Sequence, residues 1–233
     1  MSLIVNEGKN LVRETSVGRF ERYGIQTHFV AIGENYIELM EKYVKPDYQE
    51  GDMITISEKI ISLCQNRVVY KKDMKLSWLA KFLSKFASHS SAGIGVDSVW
   101  KMQFAIDHCG ALKIIYASVV AGIGKLFGKR GLFYDIAGDE VRGLDGFYDK
   151  SFDVYGEFGI RLPENCGQVC DEIYEKTGIR AAIVDCNDFT CDVLGVCGNS
   201  PYTAEQIAEI IKDNPAGQSA QLTPIVLIRK VQE

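Results

Sequence analysis

A chain of 233 residues is long enough to bury a sizeable core, as one domain or as two small ones. Its 46% hydrophobic and 24% charged content is ordinary for a globular protein. With 31 acidic against 26 basic side chains, the formal charge of −5 does not suit a protein that must neutralise many phosphates, which argues against a nucleic-acid partner.

In chain order, the opening MSLIVNEGKNLVRE has too short an apolar run, and acids too early, for a secretory signal. Ile25 to Ala31 reads as a strand. Glu34 to Val44 places Ile37, Met40, Tyr43 and Val44 at helical spacing, and Gly51-Asp52 then punctuates before the strand-like MITIS. Trp78, Leu79, Phe82, Leu83 and Phe86 form a helical apolar stripe, expected to face the core. The loop SSAGIGVDS precedes a helix carrying Trp100, Phe104 and Ile106, with Asp97 or Ser98 as its expected N-cap.

The longest apolar stretch, Ile114 to Ile123, is about half of what a membrane span requires. AGIGKLFGKRG follows, expected to be a flexible basic turn. It is not a phosphate-binding P-loop, because Ile123 stands where glycine is needed and Arg130 where Ser or Thr binds magnesium. Nor is it a dinucleotide fingerprint, because Phe127 follows Gly122 and Gly124 at the third glycine's place. Phe133 to Ile136 reads as a strand, and Gly138 to Phe158 as a long irregular or hairpin segment.

A helix near Gln168 to Lys176, strands ending at Asp185 and spanning Val193 to Val196, a helix near Thr203 to Lys212 and a strand from Pro224 to Val231 complete the chain. Without repeats or low-complexity linkers, one mixed α/β domain over 1–233 is the simplest organisation. Seven cysteines without an export signal are expected to be reduced, small buried hydrophobes in a cytoplasmic protein. Their spacing, and that of the three histidines, matches no zinc pattern.

The run Ala181 to Val184 stops abruptly at oxygen-bearing side chains. Groups just past the carboxyl end of a buried strand face the crevice where α/β proteins bind ligands, so Asp185, Asn187 and Asp188 are candidate metal or phosphate residues. The alternative is a solvated turn held by an Asx hydrogen bond.

Four blocks, in order across nearly the whole chain, carry a resemblance. GIQTHFVAIGENYIELMEKYV with GDMITISEKIISLCQNR, then SSAGIGVDSV, AAIVDCNDFTCDVLGVCGNS and GQSAQLTPIVLIRK resemble segments of the coenzyme F420-0 gamma-glutamyl ligases. The resemblance implies an α/β mixed-sheet fold and a homodimer. It also implies a GTP-dependent ligase that uses Mg2+ or Mn2+ to join an amino acid such as glutamate to a carboxylic acid, activated by phosphate transfer. Hard cations of this kind need oxygen ligands near a phosphate-binding surface.

Carried over position by position, Asp185 falls on a metal-binding Asp and Cys186 on a metal-ligating Thr. Gly95 replaces a second metal-binding Asp, with Asp97 two positions on. Ser98 stands for a nucleotide-contacting Asn, Glu58 and Lys59 for a Ser-Thr pair that touches GTP, and Leu63 for a nucleotide-binding Lys. Gln218 stands for a glutamate, while Gly217, Pro224 and Arg229 keep the frame of the C-terminal block.

The resulting expectation has Asp185 ligating metal with Asp97 or Gln218, Lys59 and Arg229 facing phosphate of GTP or ATP, and Asn187 and Ser219 orienting substrate. Small-molecule acid and amino acid are the expected partners, with neither nucleic acid nor membrane. A non-catalytic binder of a nucleotide-like or flavin-like ligand on the same fold is the alternative, and a metal-assisted hydrolase a third.

Overall fold

The computed structural model describes residues 3–87, 95–147, 156–217 and 221–231. In chain order its elements are β1 (Leu3–Ile4), β2 (Val12–Thr15), β3 (Gly18–Ile25), α1 (Tyr36–Leu39) running on as a π-helical turn (Met40–Val44), β4 (Met53–Ser57), α2 (Glu58–Cys64) and β5 (Val68–Tyr70). Next come α3 (Trp78–Leu83), α4 (Val99–Cys109), α5 (Ala111–Leu126), α6 (Leu132–Ala137), α7 (Asp139–Arg142), β6 (Asp145–Gly146) and β7 (Phe158–Ile160). The chain ends with α8 (Cys166–Thr177), β8 (Ala181–Cys186), β9 (Cys191–Val196), α9 (Ala204–Ile211) and β10 (Ile225–Lys230).

The chain divides into two compact units. One comprises Met1–Asn66 with Pro163–Glu233, and the other Arg67–Leu162. The first is built on a mixed sheet in the order β1-β3-β10-β4-β8-β9, with β2 beside β3. Among the described pairs only β4 and β8 are parallel, with Ile56 opposite Ile183 and Ser57 opposite Val184. A parallel pair needs a long crossover, and here the connection carries α2, the whole second unit and α8.

Period-two alternation divides this sheet's side chains between two cores. Ile54, Ile56, Ala181, Ile183, Ile225 and Leu227 pack with residues of α1, α2 and α8, whereas Met53, Ala182, Val184, Val226 and Ile228 pack with Ile207, Ile210 and Ile211 of α9. α9 begins with a capping box between Thr203 and Gln206, which satisfies amides that the helix itself leaves unpaired. Arg22 lies in β3 with its side chain buried, its guanidinium donating to Asp213, Ile210 O and Asn10 O.

Several expectations are corrected. The first long strand ends at Ile25, and the segment to Ala31 is loop; the strand begins earlier, at Gly18, because Arg22 occupies an inward position and hides the alternation. Phe133 to Ile136 is helical within α6, burying Phe133 and Ala137 one turn apart. AGIGKLFGKRG opens as the last turns of α5, so Gly122 and Gly124 are helical and not part of a flexible turn. Of the 138–158 segment, α7, β6 and the start of β7 are ordered elements, while residues 148–155 lie outside the described set.

The second unit has its own core of Ala80, Met102, Phe104, Ala105, Ile114, Ala117, Phe133, Val141, Leu144 and Phe147, with the small sheet β5-β7-β6. The Trp78 stripe faces this core only in part: Leu83 packs against it and α3 buries Ala80, but Trp78, Phe82 and Phe86 are exposed. No helix among the described residues is long and apolar enough to cross a membrane.

Candidate functional site

The carboxyl ends of β4 and β8 lie side by side, and each is followed by a charge. Ser57, opposite Val184, is the residue before α2, so Glu58 and Lys59 leave the sheet beside the end of β8 that carries Asp185. Alternation puts Asp185 on the face of Ala181 and Ile183, the face covered by α2 and α8. Glu58 is buried, with Lys59 Nζ 3.9 Å from its Oε1. Burial pushes the Cys166 thiol at the start of α8 up, and the Glu58 carboxylate adds to the push.

Two packing features hold this corner shut on its far side. A Cβ on Gly195 of β9 would stand 2.5 Å from the carbonyl carbon of Cys166, so glycine is what lets the hairpin approach α8. Next to β4, Ser57 N–H donates to Pro224 O at 2.8 Å, which brings the start of β10 and Gly217 toward the same end of the sheet. Gly217 has φ +79° and its carbonyl accepts from Asn214 Nδ2. Gln218 and Ser219 lie outside the described residues.

Asn187 and Asp188 are engaged in holding loops. Asn187 Oδ1 accepts from Phe189 N and Thr190 N, while its Nδ2 donates to Thr190 Oγ1, so the side chain builds the β8–β9 turn as an Asx turn does. Asp188 accepts from Lys9 Nζ at 2.8 Å and from Asn214, and the Lys9 contact keeps its carboxyl below the ordinary range. Cys186 departs from the reduced state expected of it: it is bonded to Cys191 across the hairpin, with Cα atoms 4.1 Å apart. Antiparallel pairing brings the two residues opposite one another. A disulfide sulfur is no ligand for a hard cation, so Cys186 does not take the ligand role that the resemblance implied for it.

Arg229 stands at the other end of the sheet. Four residues beyond Ile225, roughly 13 Å along the strand, its Nε and Nη2 donate to Asp52 Oδ1 and Oδ2 at 2.9 and 2.6 Å, and Nη2 also reaches Asp47 O. Leu63 is fully buried, so that position belongs to the apolar framework and not to a polar lining.

Asp97 and Ser98 belong to the second unit. Ser98 is the N-cap residue of α4 by position, yet no side-chain cap bond forms there, contrary to the expected cap. Asp97 and Asp145 lie near buried Lys101, whose Nζ donates to Arg142 O and Leu144 O. Burial lowers the Lys101 ammonium to about 8, opposed by those two carboxylates.

Sequence reasoning missed a depression of about 400 Å³ lined by His28, Gly33, Glu34, Asn35, Glu38, Leu39 and Lys42. His28 bonds Glu34 through Nε2 at 2.8 Å and Tyr43 OH through Nδ1. It opens at the same sheet end as Glu58, because Ile25 pairs with Ile225, Ile225 pairs with Ile56, and Thr27 N–H donates to Leu222 O. All seven residues lie within positions 28–42, so the depression is local: the segment leading into α1 and its π-helical turn forms one side, and His28 of the preceding loop bonds Glu34.

Among the described residues, no group of three or more His, Cys, Asp or Glu stands together as a metal site. No family model matches the chain, and no curated protein matches it.

Proposed function

We propose that the chain is a metal- and nucleotide-dependent ligase, joining an amino acid of the glutamate type to a carboxylic acid by way of an acyl phosphate. The observation that carries this reading is the arrival of Glu58, Lys59 and Asp185 at adjoining carboxyl ends of the parallel pair, where open α/β sheets bind ligands. The order of the four ligase-like blocks supports it from the sequence side.

Two carboxylates are of the right chemistry for a hard divalent cation, with nucleotide oxygens completing the set in this reading. Glu58 and Asp185 supply carboxylate oxygens, the ligands that Mg2+ and Mn2+ prefer, and such an ion would supply charge neutralisation on nucleotide phosphates when bound. Lys59 would face phosphate from the same strand end. The depression at His28, with Glu34, Glu38 and Lys42, offers both signs of charge to a zwitterion beside it. Asn187 and Arg229 have no part in this version of the site, since the turn and Asp52 hold them. In this reading the chain's own task is to orient acid and amine and to exclude water.

That same commitment of Arg229 favours a second reading, a binding protein for a nucleotide-like or flavin-like ligand without turnover. The test is release of phosphate from GTP or ATP with manganese. The ligase releases it only when both a carboxylic acid and glutamate are present, and Asp185→Ala abolishes the release. Nucleotide binding with no release under any combination of acids and amino acids selects the binder, and release that needs no amine selects a hydrolase.

A further inference from the structure

In the second unit, α5 is apolar on both sides. Ile114 and Ala117 face the core, while Leu112, Ile115, Tyr116, Val119, Ile123 and Leu126 recur at helical spacing on the opposite side. Among the described residues nothing covers that outward stripe: Leu112 and Leu126 are each 84% exposed. A helix that is apolar all round belongs inside a core or against lipid. Beside it, Trp78, Phe82 and Phe86 form an outward row at one-turn spacing, with ring centroids 6.4 and 5.0 Å apart. Trp78 is 76% exposed. α3 and α5 both pack on α4, and one contact links the ends of the two rows, Lys125 Nζ donating to Phe86 O at 3.5 Å; Phe127, exposed, follows the end of α5.

Within the two stretches that carry these rows charge is of one sign, with Asp73, Asp107 of α4 and Asp135 of α6 as the acids on flanking positions. Between Met74 and Ala87 stand Lys75, Lys81 and Lys85, and between Gly110 and Gly131 stand Lys113, Lys125, Lys129 and Arg130; neither stretch has a single Asp or Glu, in a chain whose net charge is −5. Aromatic and aliphatic side chains fringed by lysine are what a helix lying in an anionic bilayer surface requires, the rings entering the headgroup boundary and the cations meeting lipid phosphate and carboxylate. A second copy of the same face is the poorer occupant, because a two-fold contact would set these cations against themselves. The expectation of no membrane partner rested on the missing span, and a helix that lies on the surface needs none.

We propose that the α3–α5 face docks the protein on an anionic membrane surface. The test uses the full chain with vesicles of phosphatidylcholine alone and of phosphatidylcholine with phosphatidylserine, reading the pelleted fraction against lipid concentration. Binding is expected on the serine-containing vesicles, at least tenfold weaker on phosphatidylcholine alone, and lost as salt is raised. The exposed variant Lys81→Gln should weaken binding roughly fivefold. Phe82→Ser should weaken it further with an unchanged melting temperature, and Trp78→Phe should remove the blue shift of tryptophan emission while binding persists.

Equal or undetectable binding to the two vesicle types overturns the proposal. So does a concentration-dependent doubling of mass without lipid that Leu112→Ser with Tyr116→Ser abolishes, since the face then belongs to a second copy.

Discussion

The two ends of the central sheet carry charge in opposite ways. At the amino end of β4, Asp52 is 2% exposed and accepts from both Nε and Nη2 of Arg229, a buried carboxylate matched by its own cation. At the carboxyl end of the same strand, Glu58 and Asp185 bring two like charges toward one corner, with Lys59 beside them. The first end is closed by its own ion pair, and the second is where the proposed ligase reading puts an added cation.

The comparison breaks most visibly through Arg229. Replacing it by alanine strands the buried Asp52 carboxylate and should cost about 3 kcal/mol in urea unfolding, while leaving nucleotide affinity as it was. A loss of affinity without loss of stability would return Arg229 to the site. Asn187→Ala should have a smaller effect, about 1 kcal/mol for the lost turn contacts, again with ligand affinity kept. A drop in affinity at constant stability would show that the β8–β9 turn touches the ligand.

The smallest effect concerns acid stability. Burial raises the Asp213 carboxyl, but the Arg22 guanidinium outweighs it, and the folded-state value falls below the ordinary one. A depressed carboxyl contributes stability that is complete above its unfolded value and is lost as pH falls through the folded one. The native chain should therefore lose stability below about pH 4 more steeply than Asp213→Asn. Parallel acid limbs for the two proteins would show that the pair contributes no pH dependence.

Much of the sheet is legible in the sequence, because β4, β8 and β10 are short apolar runs bounded by turn residues, and both faces of each are buried. β3 is not, since Arg22 sits inward and only its partner Asp213, 191 residues away, explains how it can. The helical spacing of Trp78, Phe82 and Phe86 identifies a helix correctly but says nothing of what covers its apolar side, and in this molecule nothing described does. α6 shows the ambiguity of a four-residue apolar run, which helix and strand share.

For the site, Asp185 was legible because a carboxylate directly follows buried residues. That Arg229 belongs to Asp52, and that Glu58 adjoins Asp185, follow only from the register of strands distant in sequence. The His28–Glu34–Tyr43 group, by contrast, is local, its members 6 and 15 positions from His28, but the loop that folds His28 back onto α1 carries no motif that announces it.

The most direct test of the strand-end site is the thermal unfolding midpoint with manganese plus GTP, set against either alone, for the native chain and Asp185→Ala. A ligand held only by the folded state stabilises by about 2.7 kcal/mol at a hundredfold excess over its dissociation constant. A rise that needs both components and vanishes in Asp185→Ala is the predicted result. No rise in the native chain, or an equal rise in the variant, would contradict the assignment of Asp185 to a metal-nucleotide site.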